Sequence, residues 1–246
     1  MISKNKLKEL AAYRLQKRCD EEAVFVVEGP KMASEAMASG FVIKVVCATA
    51  EWLSDYADSM VAEETFEVSP AELERLSNFK TANQIWMLLE RNRECRKWNA
   101  ESGLTLALDK IQDPGNMGTM LRTADWFGVR HVVCSRDTVS CYNPKVVRST
   151  MGAIFRTKVE YVDLPRWLAN CNMPVFGASL QGKSIVGRDA ASLNEAVLLI
   201  GNESRGISEE AMAQVTDPVL IPNIGGTAES LNAAVAAGIL MNWMTK

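Results

Sequence analysis

Six polar residues have types and spacings that can do chemistry: Asn116 and Arg122, Asn202 and Glu203, Ser230 and Asn232. Each pair follows an apolar run. Leu106, Ala107 and Leu108 lead to Asp109, then to Asp113–Pro114–Gly115–Asn116. In that turn Pro fixes φ, Gly tolerates φ > 0, and Asp and Asn can bond the local backbone. Beyond it Met117, Met120, Leu121, Ala124 and Phe127 recur at the steps of an amphipathic helix, and Gly128 reads as its stop. Asn116 and Arg122 are thus expected at the mouth and early turns of a helix, just past the end of a strand, where open α/β sheets bind ligands. Residues 197–200 form an apolar run ending in Gly201–Asn202–Glu203–Ser204–Arg205–Gly206. Residues 219–221 lead through Pro222–Asn223–Ile224–Gly225–Gly226 to a helix of small residues from Ser230 onward. Three such strand–loop elements predict one composite site. Taken singly, each residue has a plainer reading: a helix salt bridge for Arg122, a turn and a cap for Asn116 and Asn232, a surface acid for Glu203.

Other elements must position these loops. The 246 residues support one large domain or two modest ones, and 48% hydrophobic with 23% charged residues is ordinary for a globular chain. No apolar run approaches the roughly 18–20 residues that span a membrane. MISKNKLKEL lacks the apolar core of a signal peptide, so a cytoplasmic location is expected. Six scattered cysteines (19, 47, 95, 134, 141 and 171) without a CxxC pair read as free thiols, and no metal is expected. His131, the only histidine, reads as structural. A net charge of −3 argues against a broadly basic nucleic-acid binder and leaves room for a local basic patch.

Along the chain, residues 3–18 read as one helix with Leu7, Leu10, Ala11 and Leu15 inward. Six basic residues there, Lys4, Lys6, Lys8, Arg14, Lys17 and Arg18, face a single acid, Glu9. This is either a solvated face or a contact to RNA phosphates. Strands at 24–27, 41–48, 65–68 and 84–90 alternate with helices at 31–39, 51–60 and 70–76, the last opened by Ser69–Pro70. This makes a compact α/β domain of about 95 residues. Residues 91–98 read as a polar linker. The second domain carries strands at 104–108, 129–134, 158–161, 174–179 and 197–200. Its helices include 164–169, 208–212 and 230–245, with a further one opening at Asn143–Pro144–Lys145.

DPGNMGTMLRTADWFG, IGNESRGIS and IPNIGGTAESLNAAVAAGI resemble, in order and spacing, the three motifs of the SpoU (TrmH-type) RNA ribose methyltransferases of the SPOUT superfamily. FVVEGPKMASEAMASG resembles their N-terminal substrate-binding domain. The resemblance implies a small L30e-like α/β domain at 1–98 and a knotted SPOUT domain at 99–246, with a parallel sheet and a trefoil knot. It implies S-adenosylmethionine-dependent 2′-O-methylation of structured RNA, ribosomal RNA ahead of transfer RNA, by a homodimer with the active site near the subunit interface. Arg122 would activate or orient the hydroxyl. With a pKa above about 12 it is better suited to holding a phosphate and polarising the site than to acting as a free base. Asn116 and Asn232 would orient substrate or Arg122 by hydrogen bonds, Glu203 would anchor the knot or fix Arg122, and Ser230 matches a further catalytic position. Ser179, Gly201, Asn202, Ile221 and Leu231 match cofactor positions. Lys4, Lys8, Arg14, Lys31, Lys145 and Arg148 are the candidate RNA contacts. Ser204, Asn223 and Ala233–Ala234 depart from the family pattern at the level of fine cofactor contacts. A non-catalytic RNA-binding or ribosome-assembly protein that keeps the fold is the alternative, and base methylation is a third possibility.

Overall fold

A computed structural model describes residues 2–56, 60–79, 81, 83–91, 103–188 and 195–245. Packing divides the chain into two units, Met1–Cys95 with Tyr142–Phe155, and Arg96–Cys141 with Arg156–Lys246. The segment 142–155 therefore packs with the first unit, although the sequence reading groups it with the second. Most of the expected linker, from 92 to 98, lies outside the described residues.

The first unit opens with α1 (Lys4–Ala11) and α2 (Gln16–Glu22), separated by a 3₁₀ turn at Ala12–Arg14. The single helix expected over 3–18 is broken because Leu15 is extended (φ −88°, ψ 119°). Then follow β1 (Val24–Glu28), α3 (Pro30–Ser39), β2 (Ile43–Ala48), α4 (Ala50–Tyr56), β3 (Glu64–Glu67), α5 (Pro70–Leu76) and β4 (Ile85–Glu90). The sheet order is β1-β4-β2-β3; β4 runs antiparallel to both neighbours and β2–β3 is parallel. Ser69 and Glu72 form a reciprocal capping box on α5, and these bonds hold the Glu72 carboxyl below its usual range. Leu7, Leu10, Val26, Val45, Leu73, Leu76 and Trp86 are among the residues that build the core. Burial pushes the Cys47 thiol up to about 12 and Cys19 to about 11, so both stay protonated and unreactive at neutral pH.

The second unit runs β5 (Leu104–Leu108), α6 (Pro114–Trp126) and β6 (His131–Ser135). The chain then passes through α7 (Pro144–Thr150), which packs with the first unit. It continues through β7 (Lys158–Val162), α8 (Leu164–Asn170), β8 (Val175–Ser184), β9 (Ala196–Ile200), α9 (Glu209–Met212), β10 (Asp217–Leu220) and α10 (Ala233–Met244). All six strands are parallel, in the order β10-β8-β9-β5-β6-β7. Burial of the central strands β5, β6 and β9 on both sides explains their near-continuous apolar runs in the sequence. The chain moves outward from β5 through β6 to β7, then crosses to the other side of β5. The β5–β9 boundary is thus the switch point, and the loops leaving these strands are neighbours. β8 is longer than expected because its outer part pairs again with β10. Gly177 lies beside Pro218 and Lys183 beside Val219, so residues 178–182 bulge out.

Candidate active site

The site is assembled at the ends of β5 and β9, which lie in register from Leu104↔Ala196 to Leu108↔Ile200. Asp113 caps α6, its side chain accepting from the Asn116 backbone N–H at 2.7 Å. This fixes Asn116 in the first turn. Its side-chain Nδ2 donates to Glu203 Oε1, and its Oδ1 accepts from Asn232 Nδ2 at 2.9 Å. Asn232 caps α10 through Oδ1, which accepts from Ala234 N at 3.0 Å and Val235 N at 3.3 Å. One residue from each motif therefore enters a hydrogen-bonded relay. Its sense is set from both ends: a carboxylate only accepts, and helix N–H groups only donate. Both constraints require the same orientation of the two amides.

The loop that carries Glu203 is built on the turn after β5. Asn202 pairs with Gly206 through both backbone groups, at 3.0 and 2.9 Å. The Asn202 Oδ1 accepts from Ser204 N and Arg205 N, and its Nδ2 donates to the Lys110 carbonyl at 2.9 Å. Asp109, 1% exposed, accepts from Ser208 N at 2.7 Å. Lys110 adopts φ +56°, a left-handed conformation that costs a non-glycine residue roughly 1–2 kcal/mol. Ser135 Oγ holds the Lys110 N–H at 2.8 Å, and Thr138 Oγ1 holds that of Ile111 at 3.3 Å. Gly201 is required by close approach: an added Cβ would lie 2.2 Å from the backbone of Gly206 and Ile207.

The remaining expected residues fall around this core. Arg122 is exposed on α6 and makes no ion pair or hydrogen bond among the described residues. Glu203 bonds Asn116, which ties its loop to α6, and makes no bond to Arg122 among the described residues. α10 begins at Ala233, so Ser230 and Leu231 lie before the helix expected to contain them. Ser230 is exposed and outside the relay. Ser179 lies in the bulge of β8, its Oγ accepting from Gln181 N at 3.2 Å, and Ile221 is half-buried just past β10. Leu180, Ile224 and Leu231 are 68%, 91% and 48% exposed in the loops nearby. Exposed apolar side chains of this kind, on the segments that follow the sheet's C-terminal edge, have the chemistry to pack on an adenosyl group. Asn223, read only as a departure from the family pattern, ties the 223–228 loop together, accepting from Gly225 N and Gly226 N at 3.0 and 2.7 Å. Asp109 and Lys110 have no site role in the sequence reading; the signal for them is an acid and a cation directly after a buried strand.

In the first unit Lys4, Lys8, Arg14 and Lys31 are exposed and without ion pairs among the described residues, whereas Lys6 is held by Glu64 at 2.9 Å and Glu9 at 3.3 Å. Lys145 follows the Asn143 cap of α7, and the Arg148 guanidinium stacks 4.4 Å from the Phe79 ring centre. Glu28 accepts from Asn78 N at 2.9 Å and from the Ser77 hydroxyl; burial pushes its carboxyl up against these donors. His131 is bonded to Glu160 at 2.7 Å and lies 3.4 Å from the Thr105 hydroxyl, at the opposite end of the sheet from the relay.

The SpoU rRNA Methylase family matches residues 103–242, and the MRM3-like substrate binding domain matches residues 4–86. The chain is 29% identical over 239 residues to the 23S rRNA (guanosine(2553)-2′-O)-methyltransferase RlmP of Bacillus subtilis, covering 96% of this chain and 94% of the relative. A TrmH-family protein from Porphyromonas gingivalis superposes with a TM-score of 0.88 at 36% identity, over 99% of this chain and 98% of the other. The AdoMet-bound rRNA methyltransferase from Sinorhizobium meliloti superposes with a TM-score of 0.81 at 26% identity, over 99% and 95% of the two chains.

Proposed function

The chain belongs to the SpoU rRNA methylase family, and we propose that its substrate is a single ribose of 23S-type ribosomal RNA. It is an RNA 2′-O-ribose methyltransferase that uses S-adenosylmethionine. The observation that carries the reading is the Asn232–Asn116–Glu203 relay, in which three separated motifs meet at the switch point of a parallel sheet.

The bound cofactor supplies an electrophilic methyl group on a sulfonium. Leu180, Ile224 and Leu231 would hold its apolar part, with backbone groups around Gly201 and Ile221. A ribose hydroxyl is a poor nucleophile at neutral pH, so the chain must align it and stabilise charge as its proton leaves. Asn116 and Asn232 are held rigidly enough to orient the ribose. Arg122, exposed and without a partner among the described residues, is available to hold the adjoining phosphate. The first unit contacts RNA through Lys4, Lys8, Arg14, Lys31, Lys145 and Arg148.

The same reading includes a trefoil knot and a homodimer. The knot is supported by backbone packed on backbone: a Cβ added at Gly182 would lie 2.6 Å from Val219 N, and Gly201 is equally tight. The dimer is supported by Trp126, Val235 and Ile239, which are 84%, 50% and 38% exposed on α6 and α10, two helices that pack together. Arg122 lies on α6 one turn before Trp126, which puts it near that interface.

The test is methyl transfer from labelled S-adenosylmethionine to total RNA from a deletion strain, followed by nucleoside analysis and mapping. One 2′-O-methylated nucleotide in the large ribosomal RNA is the expected result. Label on transfer RNA overturns the substrate, and label on a base overturns the ribose chemistry. No transfer, with cofactor and RNA both bound, overturns mature 23S-type RNA as the substrate in favour of an assembly intermediate, and no cofactor binding favours the non-catalytic alternative.

A further inference from the structure

The cations of the second unit are sorted by the two ends of its sheet. At the end where strands begin, they are neutralised. Arg156 pairs with Asp125 at 2.9 Å, Arg130 with Asp125 at 3.8 Å, and Lys158 with Glu160 at 2.8 Å. At the end where strands finish, five cations appear in strand order: Lys183 in the last turn of pairing of β8, Arg205 after β9, Lys110 after β5, Arg136 after β6 and Arg166 in α8 after β7. None makes an ion pair or side-chain hydrogen bond among the described residues; four are exposed and Lys110 is half-buried. Arg188, also beyond β8, folds back onto Asp217 at the start of β10.

Acids at this same end are oriented by neutral N–H donors and keep their charge. Asp109 accepts from Ser208 N at 2.7 Å, Asp113 from Asn116 N at 2.7 Å, Asp163 from Arg166 N at 3.3 Å, and Glu203 from Asn116 Nδ2. Asp137, Glu209, Glu210 and Glu229 add exposed counter-charges. The chain as a whole carries −3, so a row of free cations is not the by-product of a basic composition. Neighbouring strands lie about 4.8 Å apart, which spreads the five positions over about 19 Å. Lys110 and Arg136 each stand two residues past the paired positions Leu108↔Cys134. The Lys110 carbonyl also holds Asn202, next to Glu203, so the row passes directly beside the relay. Like charges in a row repel one another and are stabilised together only by an extended polyanion.

We propose that Lys183, Arg205, Lys110, Arg136 and Arg166 form a rim that holds the phosphates flanking the target ribose. The proposal rests on the ribose-methyltransferase reading and extends it by giving the RNA backbone a path across the second unit. Equilibrium binding of an in-vitro transcribed 23S rRNA, measured against salt concentration and without turnover, tests it. The Lys110→Gln/Arg136→Gln double variant is expected to flatten the log–log salt slope by about 0.7–0.9 per cation removed and to weaken binding about tenfold at low salt. Lys158→Gln, at the opposite end of the sheet, should keep the wild-type slope. An unchanged slope in the double variant, or an equal change in Lys158→Gln, overturns the rim. Weaker S-adenosylmethionine binding with an unchanged RNA slope assigns these cations to the cofactor and overturns it as well. Wild-type methylation of a base refutes the ribose reading, while the salt slope still decides for or against the rim.

Discussion

At the scale of residues, the relay separates groups that are held from the group that is free. Asn116 and Asn232 have their amides fixed by a carboxylate at one end and by helix N–H groups at the other. Arg122 has no partner among the described residues and keeps its rotamer freedom until something anionic reaches it. Removing it should leave the folded scaffold and the cofactor loops intact. Arg122→Ala is expected to lower the rate of methyl transfer by at least about 10²-fold, the usual cost of losing one electrostatic contact to developing charge. Its affinity for S-adenosylmethionine, measured by calorimetry, should stay within about threefold, because Arg122 is assigned to the RNA and not to the cofactor loops. Unchanged turnover would remove Arg122 from the mechanism.

At the scale of elements, the loop after β9 is tight enough to be tested by a single methyl group. A Cβ at position 201 meets backbone, which cannot rotate away as a side chain would. Gly201→Ala is expected to cost about 3 kcal/mol or to displace the loop, the upper range for overpacking. Thermal melting and cofactor affinity should fall together; a wild-type melting temperature would show that the loop relaxes freely. The far end of the sheet makes a different prediction. Burial pulls the Glu160 carboxyl up, but Lys158 and His131 outweigh it and hold it below its usual 4.5. A depressed folded value gives stability that is present above about pH 4.5 and lost as pH falls through the lower folded value. Glu160→Gln should therefore melt lower than wild type at pH 7, by no more than about 1 kcal/mol because the pair is partly exposed. The gap should close toward pH 3, as followed by circular dichroism. A gap that persists there would mean the side chain acts by packing instead.

At the scale of the whole molecule, the exposed Trp126, Val235 and Ile239 are the prediction. Sedimentation should find a dimer, and Ile239→Glu should convert it to a monomer with much reduced methyl transfer, since a buried unpaired charge costs an interface several kcal/mol. A wild-type monomer that turns over normally would refute the interface. Two domains with separate cores also fit the division of labour between substrate capture and chemistry. Lys4 and Lys8 on α1 and Lys31 on α3, without ion pairs among the described residues, belong to the first unit, while the relay is wholly within the second.

The elements and the chemistry-bearing loops were legible in the amino-acid order. Local signals sufficed where they were strong: the turn at Asp113–Pro114 before α6, Asn143–Pro144 starting α7, Ser69–Pro70 opening α5, and apolar runs for buried parallel strands. They failed at three places. Leu15 breaks the first helix, β8 runs on because β10 pairs with it again, and α10 starts only at its Asn232 cap. The motifs named Asn116, Glu203 and Asn232, yet that they bond one another follows from folding alone, because residues 87 and 116 positions apart meet only when β9 inserts beside β5. Asp109 and Lys110 became legible for the same reason. A buried carboxylate and a left-handed lysine acquire meaning only beside the loop they hold, and that neighbour comes from strand order, which no local pattern encodes.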